Sequence, residues 1–103
     1  MDEDKAIEII KAEILGSNSV FIKLSLKSGI DEDAFKRLLD AMDFLTKLYK
    51  NRDQVPKVVA GAFVDLTPYF ERCLELYSEE ERNRIFDLKE RIVSSALTMF
   101  GIE

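Results

Sequence analysis

Two cations, Lys89 and Arg82, fall where a helical pattern of apolar residues predicts buried side chains. They are seven residues apart, about two helical turns, so they lie on the same side of one helix. Lys89 projects among Ile85 and Ile92, where a charged amine would lose its hydration and its pKa would fall. Three interpretations remain open: the stem packs while the amine reaches the edge, the amine pairs with Asp65, or Lys89 and Arg82 together bind a small anion.

In the anion-binding alternative, Asp65 and Tyr69 line the same pocket between helices as the two cations. A carboxylate metal site is the related possibility, because hard cations need only oxygen ligands. Asp40 and Asp43 lie three residues apart on a predicted helix. Lysines lie close to both acids in the sequence, which favours local ion pairs over a metal ion. We therefore predict no metal site and no cofactor.

The side chains that most enzymes use are scarce in this chain. It contains no histidine, which excludes Ser-His-Asp and Cys-His nucleophile arrangements. The single cysteine, Cys73, lies on an apolar helical face, where a free thiol acts as a small hydrophobic group. The four glycines are scattered and form no phosphate-binding loop. We expect a protein that is not an enzyme.

The charge balance is acidic, with a net charge of −5, which argues against a general nucleic-acid-binding protein. Three acidic triplets begin predicted helices, where they face the positive end of the helix dipole. Apart from these triplets, basic residues outnumber acidic ones, so a nucleic-acid-associated role remains an alternative. It would use a basic strip within residues 36–57, comprising Lys36, Arg37, Lys47, Lys50, Arg52 and Lys57.

The apolar spacing predicts four helices, over residues 3–15, 31–50, 55–77 and 79–100. Pro68 lacks an amide donor, so the third helix should kink or break near residues 65–67, with Thr67 capping its second half. Gly16 should end the first helix in a left-handed conformation, and Gly101 should end the last one with Ile102 packing back. The apolar residues of the last helix cover almost half its circumference, which predicts the most buried helix. The fold class is mainly all-α, a four-helix bundle-like single domain over residues 1–103.

Residues 20–27 are the exception, because their apolar and polar side chains alternate as in a β-strand. A lone strand leaves backbone hydrogen-bonding groups unpaired unless it meets a second copy or another strand. A short helix or an irregular segment is the alternative. If residues 20–27 form a strand, its edge is a natural site for association.

This strand and a few apolar residues outside the helical core faces make a protein-contact surface our preferred interpretation. The predicted partner-binding residues are Ile22, Leu24, Leu26, Phe44 and Val64. The leading hypothesis is a non-enzymatic protein–protein interaction module, homodimeric, of the inhibitor or immunity type that covers a basic partner. A small-anion- or metal-binding helical bundle is the second. We expect a cytoplasmic protein with no membrane span, because it has one cysteine and no long apolar run.

Overall fold

The computed structural model describes residues 1–64 and 66–102. Its helices are α1 (Glu3–Ile10), α2 (Val20–Ser25), α3 (Glu32–Tyr49), α4 (Lys57–Ala62), α5 (Leu66–Leu74) and α6 (Glu79–Met99). A π-helical turn, Lys11–Leu15, continues α1. The described residues contain no β-strand, which confirms the all-α prediction. None of their helices is both long enough and apolar enough to cross a lipid bilayer.

The long helix α3 is the centre of the fold. It packs mainly against α1 on one side and α6 on the other, while α5 packs against α6 and α2. The short helix α4 lies against α1 and the π turn. Seven side chains of α3 are buried, compared with four of the longer α6. The prediction that the last helix is the most buried is therefore wrong.

Residues 20–27 form a helix and its cap, so the β-strand alternative is wrong. The Ser19 side chain accepts a hydrogen bond from the Ile22 amide, and this cap starts α2. At the other end the Ser28 amide donates to the Lys23 carbonyl. Lys27 takes a left-handed conformation there, with φ of 59°. The helix satisfies these backbone groups locally, whereas a lone strand would have needed a partner.

The third predicted helix is broken where Pro68 requires it. Helix α4 ends at Ala62 and α5 begins at Leu66, which places Pro68 in the first turn of α5, where a missing amide donor is tolerated. The predicted break is confirmed. Thr67 does not cap a helix beginning at Pro68, because α5 already includes it.

The sequence predicts a left-handed glycine at the ends of two helices, and one of the two glycines has that conformation. Gly101 has φ of 75°, and the Ile102 amide donates to the Leu97 carbonyl, which is the predicted left-handed ending. The Ile102 side chain does not pack back, since it stays 69% exposed. Gly16 is extended, with φ of −73° and ψ of 162°, so its predicted left-handed conformation is wrong.

A single hydroxyl ties α2 to the segment after α5. Tyr77 donates a hydrogen bond of 2.7 Å to the Leu24 carbonyl, and its oxygen accepts one of 3.3 Å from the Gly29 amide. Tyr77 is buried, as is Leu24. This contact fixes the segment after α5 against α2 and against the chain between α2 and α3.

Candidate partner-binding face

The five predicted partner-binding residues do not form one surface. Leu24 is fully buried in the core, so it cannot contact a partner. Ile22 is half-buried, and Phe44 is half-buried against the core. Leu26 and Val64 are 71% and 75% exposed, but they belong to different parts of the chain. A strand would have placed Ile22, Leu24 and Leu26 on one surface. These residues are instead helical or lie in a helix cap, so that surface does not form.

Lys89 and Arg82 are held by separate contacts. The Lys89 side chain is only 14% exposed, and its amine lies 4.8 Å from the Phe86 ring centroid and 3.6 Å from the Glu90 carboxylate. The stem is therefore packed and the amine reaches the edge of the apolar face. Arg82 instead donates a 2.7 Å hydrogen bond to the Tyr77 carbonyl.

The predicted anion pocket is not supported by the surroundings of its members. Tyr69 lies against Phe21, with 5.4 Å between ring centroids, and beneath the Arg72 guanidinium. Five cavities of the described residues are lined by other side chains, with neither Lys89 nor Arg82 among them. The predicted pairing of Lys89 with Asp65 lies outside the described residues.

The basic strip is divided by internal ion pairs. Arg37 pairs with Glu13 at 3.1 Å, Lys47 with Asp43 at 3.0 Å, and Arg52 with Glu3 at 3.7 Å. Lys36 lines a groove between α3 and α6, while Lys47, Lys50 and Arg52 line a cleft at the far end of α3. These cations are therefore partly neutralised and face different cavities, which weakens the case for a nucleic-acid interface.

Asp40 and Cys73 have opposite surroundings, since one is exposed and the other is buried. Asp40 is exposed, and no group of three or more metal-binding side chains comes together in the described part of the chain. Cys73 is 2% exposed, and burial raises the pKa of its thiol, an effect that the nearby Arg72 only partly offsets. A buried thiol with a raised pKa is a poor nucleophile.

An apolar groove between α5 and α6 is the feature that sequence reasoning missed. Its volume is about 210 Å³. The Phe63 and Phe100 rings meet edge to face at one end of it, with 5.8 Å between centroids. Its lining is apolar except for one hydroxyl and consists of Phe63, Leu66, Thr67, Val93, Ala96, Leu97 and Phe100. The break between α4 and α5 creates this groove, because it turns Phe63 and the first turn of α5 towards the last part of α6.

Apolar side chains extend the groove along α6. Phe86, Val93 and Leu97 are seven and four residues apart, so they follow one side of the helix over about 16 Å. Phe86 is 46% exposed, and the other two are half-buried. Val64, next to the lining residue Phe63 in the chain, is a further exposed aliphatic side chain. Part of the broad apolar arc of α6 is therefore left uncovered by its neighbours.

A carboxylate follows one residue of the groove lining. Glu71 lies one turn beyond Thr67 on α5 and so continues its line along the helix. Glu90, one turn beyond Phe86 on α6, is instead paired with Lys89 at 3.6 Å. Residues 66–90 hold seven acids and four bases. Four exposed glutamates of residues 66–90 form no ion pair with any described residue. They are Glu71, Glu75, Glu79 and Glu80.

All four bases of the stretch make contacts within the chain. Arg84 pairs with Glu32 of α3, and Arg72 lies 5.2 Å from the Tyr69 ring centroid. Arg82 and Lys89 have the contacts described above. Four glutamates of this stretch therefore have no counter-charge among the described residues. We call the groove lining, Phe86, Val64 and these four glutamates the α5–α6 face.

Two larger cavities have a different character. The groove between α3 and α6 has a volume of about 640 Å³ and contains carboxylates and cations in alternation, bridged by Arg84 and Glu32. The cleft at the end of α3 measures about 570 Å³ and holds Tyr49, whose hydroxyl donates to Glu3 at 2.8 Å. Their charges are largely matched internally, so neither cavity favours a ligand of one sign.

Comparison with known proteins finds no family model, curated protein or solved structure that matches this chain.

Proposed function

We propose that this chain is a non-enzymatic binding domain that recognises a basic protein through the α5–α6 face. The observation that carries the proposal is an apolar groove in a segment whose exposed Glu71, Glu75, Glu79 and Glu80 form no ion pair among the described residues. Apolar area supplies affinity in protein interfaces, while complementary charge supplies orientation and association rate. These four carboxylates select a partner rich in lysine and arginine.

The available side chains support binding rather than catalysis. The chain has no histidine, and its single thiol is buried. By covering a basic surface, such a domain would block a partner that uses that surface to hold nucleic acid. An inhibitory role of the immunity type is therefore the form of this function that we favour. The homodimer hypothesis combines a strand edge with apolar residues outside the core faces, and with α2 helical the strand part of that argument has no basis.

The test compares two variants with the same net charge. In the face variant Glu71, Glu75, Glu79 and Glu80 become glutamine. The control variant neutralises four other exposed acids that form no ion pair among the described residues, as Asp4→Asn, Glu8→Gln, Asp33→Asn and Asp40→Asn. Two acids in each set lie in a first helical turn, so losses of helix-dipole stabilisation are matched.

Proteins captured by the tagged wild-type chain in its host cells are identified, purified and titrated against all three proteins. We expect a basic partner whose Kd weakens about ten-fold or more with the face variant and less than about three-fold with the control. Equal weakening by both variants would show a general charge effect and contradict the proposal. Recovery of no partner that binds when purified, or a concentration-dependent dimer by sedimentation as the only complex, would also overturn it.

A further inference from the structure

We infer that the partner segment occupying the α5–α6 face is a short basic amphipathic helix, anchored by one large apolar side chain at the α4–α5 break. This inference rests on the proposed function and specifies the chemistry of the partner at the same site. Its basis is the shape of the groove and the placement of charge around it.

The form of the occupant follows from the secondary structure around the groove. A bound peptide adds as a strand only where a sheet edge is free, and no strand is found in residues 1–64 and 66–102. Helices form both sides of the groove, and its apolar stripe on α6 is about 16 Å long. A partner helix of about eleven residues has the same length and presents apolar side chains at spacings of three and four.

The anchor is indicated by the size and lining of the pocket. Its volume of about 210 Å³ is below the range of roughly 300–1,000 Å³ that drug-sized ligands and cofactors need. Thr67 contributes the one polar side chain of the lining, so few groups are available to orient a polar ligand. A single leucine or phenylalanine suits such a pocket, with Val64 and Phe86 covering the remainder of the partner's apolar side.

Charge complementarity selects the polar side of the partner helix. Glu71 on α5 lies one turn beyond Thr67 of the groove lining, and Glu75 follows Glu71 one turn later; neither forms an ion pair among the described residues. Cations that flank the apolar stripe of an incoming helix would meet these carboxylates. Acidic or neutral amphipathic helices would leave the glutamates unpaired, so they should bind less tightly.

The experiment uses a labelled synthetic peptide of about 14 residues, with leucine on one helical face and lysine elsewhere. Three comparison peptides have the same composition in scrambled order, glutamate in place of lysine, or alanine in place of the central leucine. Fluorescence anisotropy gives the Kd, and circular dichroism reports helix formation on binding. We expect the patterned peptide to bind about ten-fold or more tightly than each comparison peptide, with a gain in helicity.

Two double variants of the protein locate the binding site. Val64→Ser with Phe86→Ser removes exposed apolar groups on the face, whereas Leu15→Ser with Leu26→Ser removes exposed apolar groups elsewhere. Val64, Leu15 and Leu26 are largely exposed and Phe86 is 46% exposed, so the unfolding midpoint of both variants in urea is measured first to show that each is folded under the binding conditions. We expect the first variant to weaken peptide binding about ten-fold and the second to leave it within two-fold.

The possible failures are distinguishable. Equal binding of patterned and scrambled peptides would show attraction by charge alone and overturn the helix inference. Equal loss in the two double variants would place the peptide elsewhere and also overturn it. In either case the proposed function would still hold if a natural basic partner bound the face variant more weakly than the wild type. Absence of any such partner would remove the proposed function itself.

Discussion

At the scale of single residues, Asp31 connects two helices. One oxygen of its carboxylate accepts a hydrogen bond from the Ala34 amide at 3.1 Å and so caps α3. The other accepts one of 2.6 Å from the Lys23 amine of α2. The Lys23 hydrogen bond lowers the pKa of Asp31 most, and the Ala34 amide lowers it further.

Replacing Asp31 with asparagine should reveal the ion pair through its pH dependence. Asparagine caps helices about as well as aspartate, so the variant keeps the cap but loses the charge that pairs with Lys23. We expect a loss of about 0.5–1 kcal/mol in the free energy of unfolding at pH 7, since the pair is partly exposed. Urea unfolding monitored by circular dichroism measures it.

The sign of the pH effect follows from the lowered pKa. Because the folded chain holds the Asp31 proton less tightly than the unfolded chain, the stabilisation exists above the unfolded pKa and is lost as pH falls through the folded one. The gap between wild type and variant should therefore shrink below about pH 4. Asp33→Asn, in the same helical turn without an ion pair among the described residues, is the control for the lost helix-dipole charge and should show a smaller gap than Asp31→Asn. A gap of constant size down to pH 2 would contradict the assignment.

At the scale of elements, two glycines illustrate different constraints on helices. A Cβ on Gly16 would lie 2.5 Å from the Ala12 carbonyl oxygen, a backbone atom of the π turn that cannot move alone. A Cβ on Gly61, within α4, would meet no atom within 4 Å. Space, rather than a left-handed backbone, therefore requires glycine at position 16.

The paired substitutions to alanine should change stability in opposite directions. Gly16→Ala should lower the free energy of unfolding by about 1–3 kcal/mol, because the added methyl group forces the π turn to shift. Gly61→Ala should raise it by about 0.5–1 kcal/mol, because alanine favours a helix. Each variant is the control for the other in urea unfolding. A neutral Gly16→Ala would mean that the π turn rearranges at no cost.

The main helices could be predicted because their signals are long or chemically specific. Asp31 and Ser78 cap α3 and α6 as their sequence positions indicate, and Pro68 fixes the break before α5. Helix α2 is ambiguous in the sequence because its run is short and because Ile22, Leu24 and Leu26 alternate with polar residues, as in a strand. A helical signal was present in the Ser19 cap followed by Val20, Phe21 and Leu24, all of which are buried.

The π turn and the α5–α6 face were not predictable in the same way. A π turn adds a residue to one backbone turn, and apolar periodicity does not report that over five residues. For the face, the sequence identified the apolar arc of α6, including Phe86, but did not indicate which part of the arc its neighbours cover. That depends on how α5 packs after the break, which is a tertiary property.

At the scale of the whole molecule, the buried side chains form one continuous core. Phe21 of α2 meets Phe70 of α5 edge to face, with 4.8 Å between ring centroids. Cys73 lies one turn beyond Phe70 in the same core, which also contains the buried side chains of α1, α3 and α6. A core shared by all these elements favours cooperative unfolding, in which α5 does not detach alone.

The Cys73 thiol allows this cooperativity to be measured. Because the thiol is 2% exposed, a thiol-specific reagent should reach it only after the chain opens. We expect labelling in native buffer to be slower than in the unfolded chain by about 10⁴-fold or more, the factor that corresponds to at least 5 kcal/mol of stability. The free energy from labelling should equal that from urea unfolding and fall with urea along the same slope.

A smaller free energy from labelling, with little dependence on urea, would contradict cooperative unfolding and show that α5 opens by itself. Labelling of the urea-unfolded chain gives the reference rate, so an intrinsically slow thiol cannot be mistaken for protection. The distinction bears on partner binding, because α5 forms one wall of the groove. If α5 opens only with the whole chain, the groove exists before the partner arrives, and binding does not require the additional ordering of this wall.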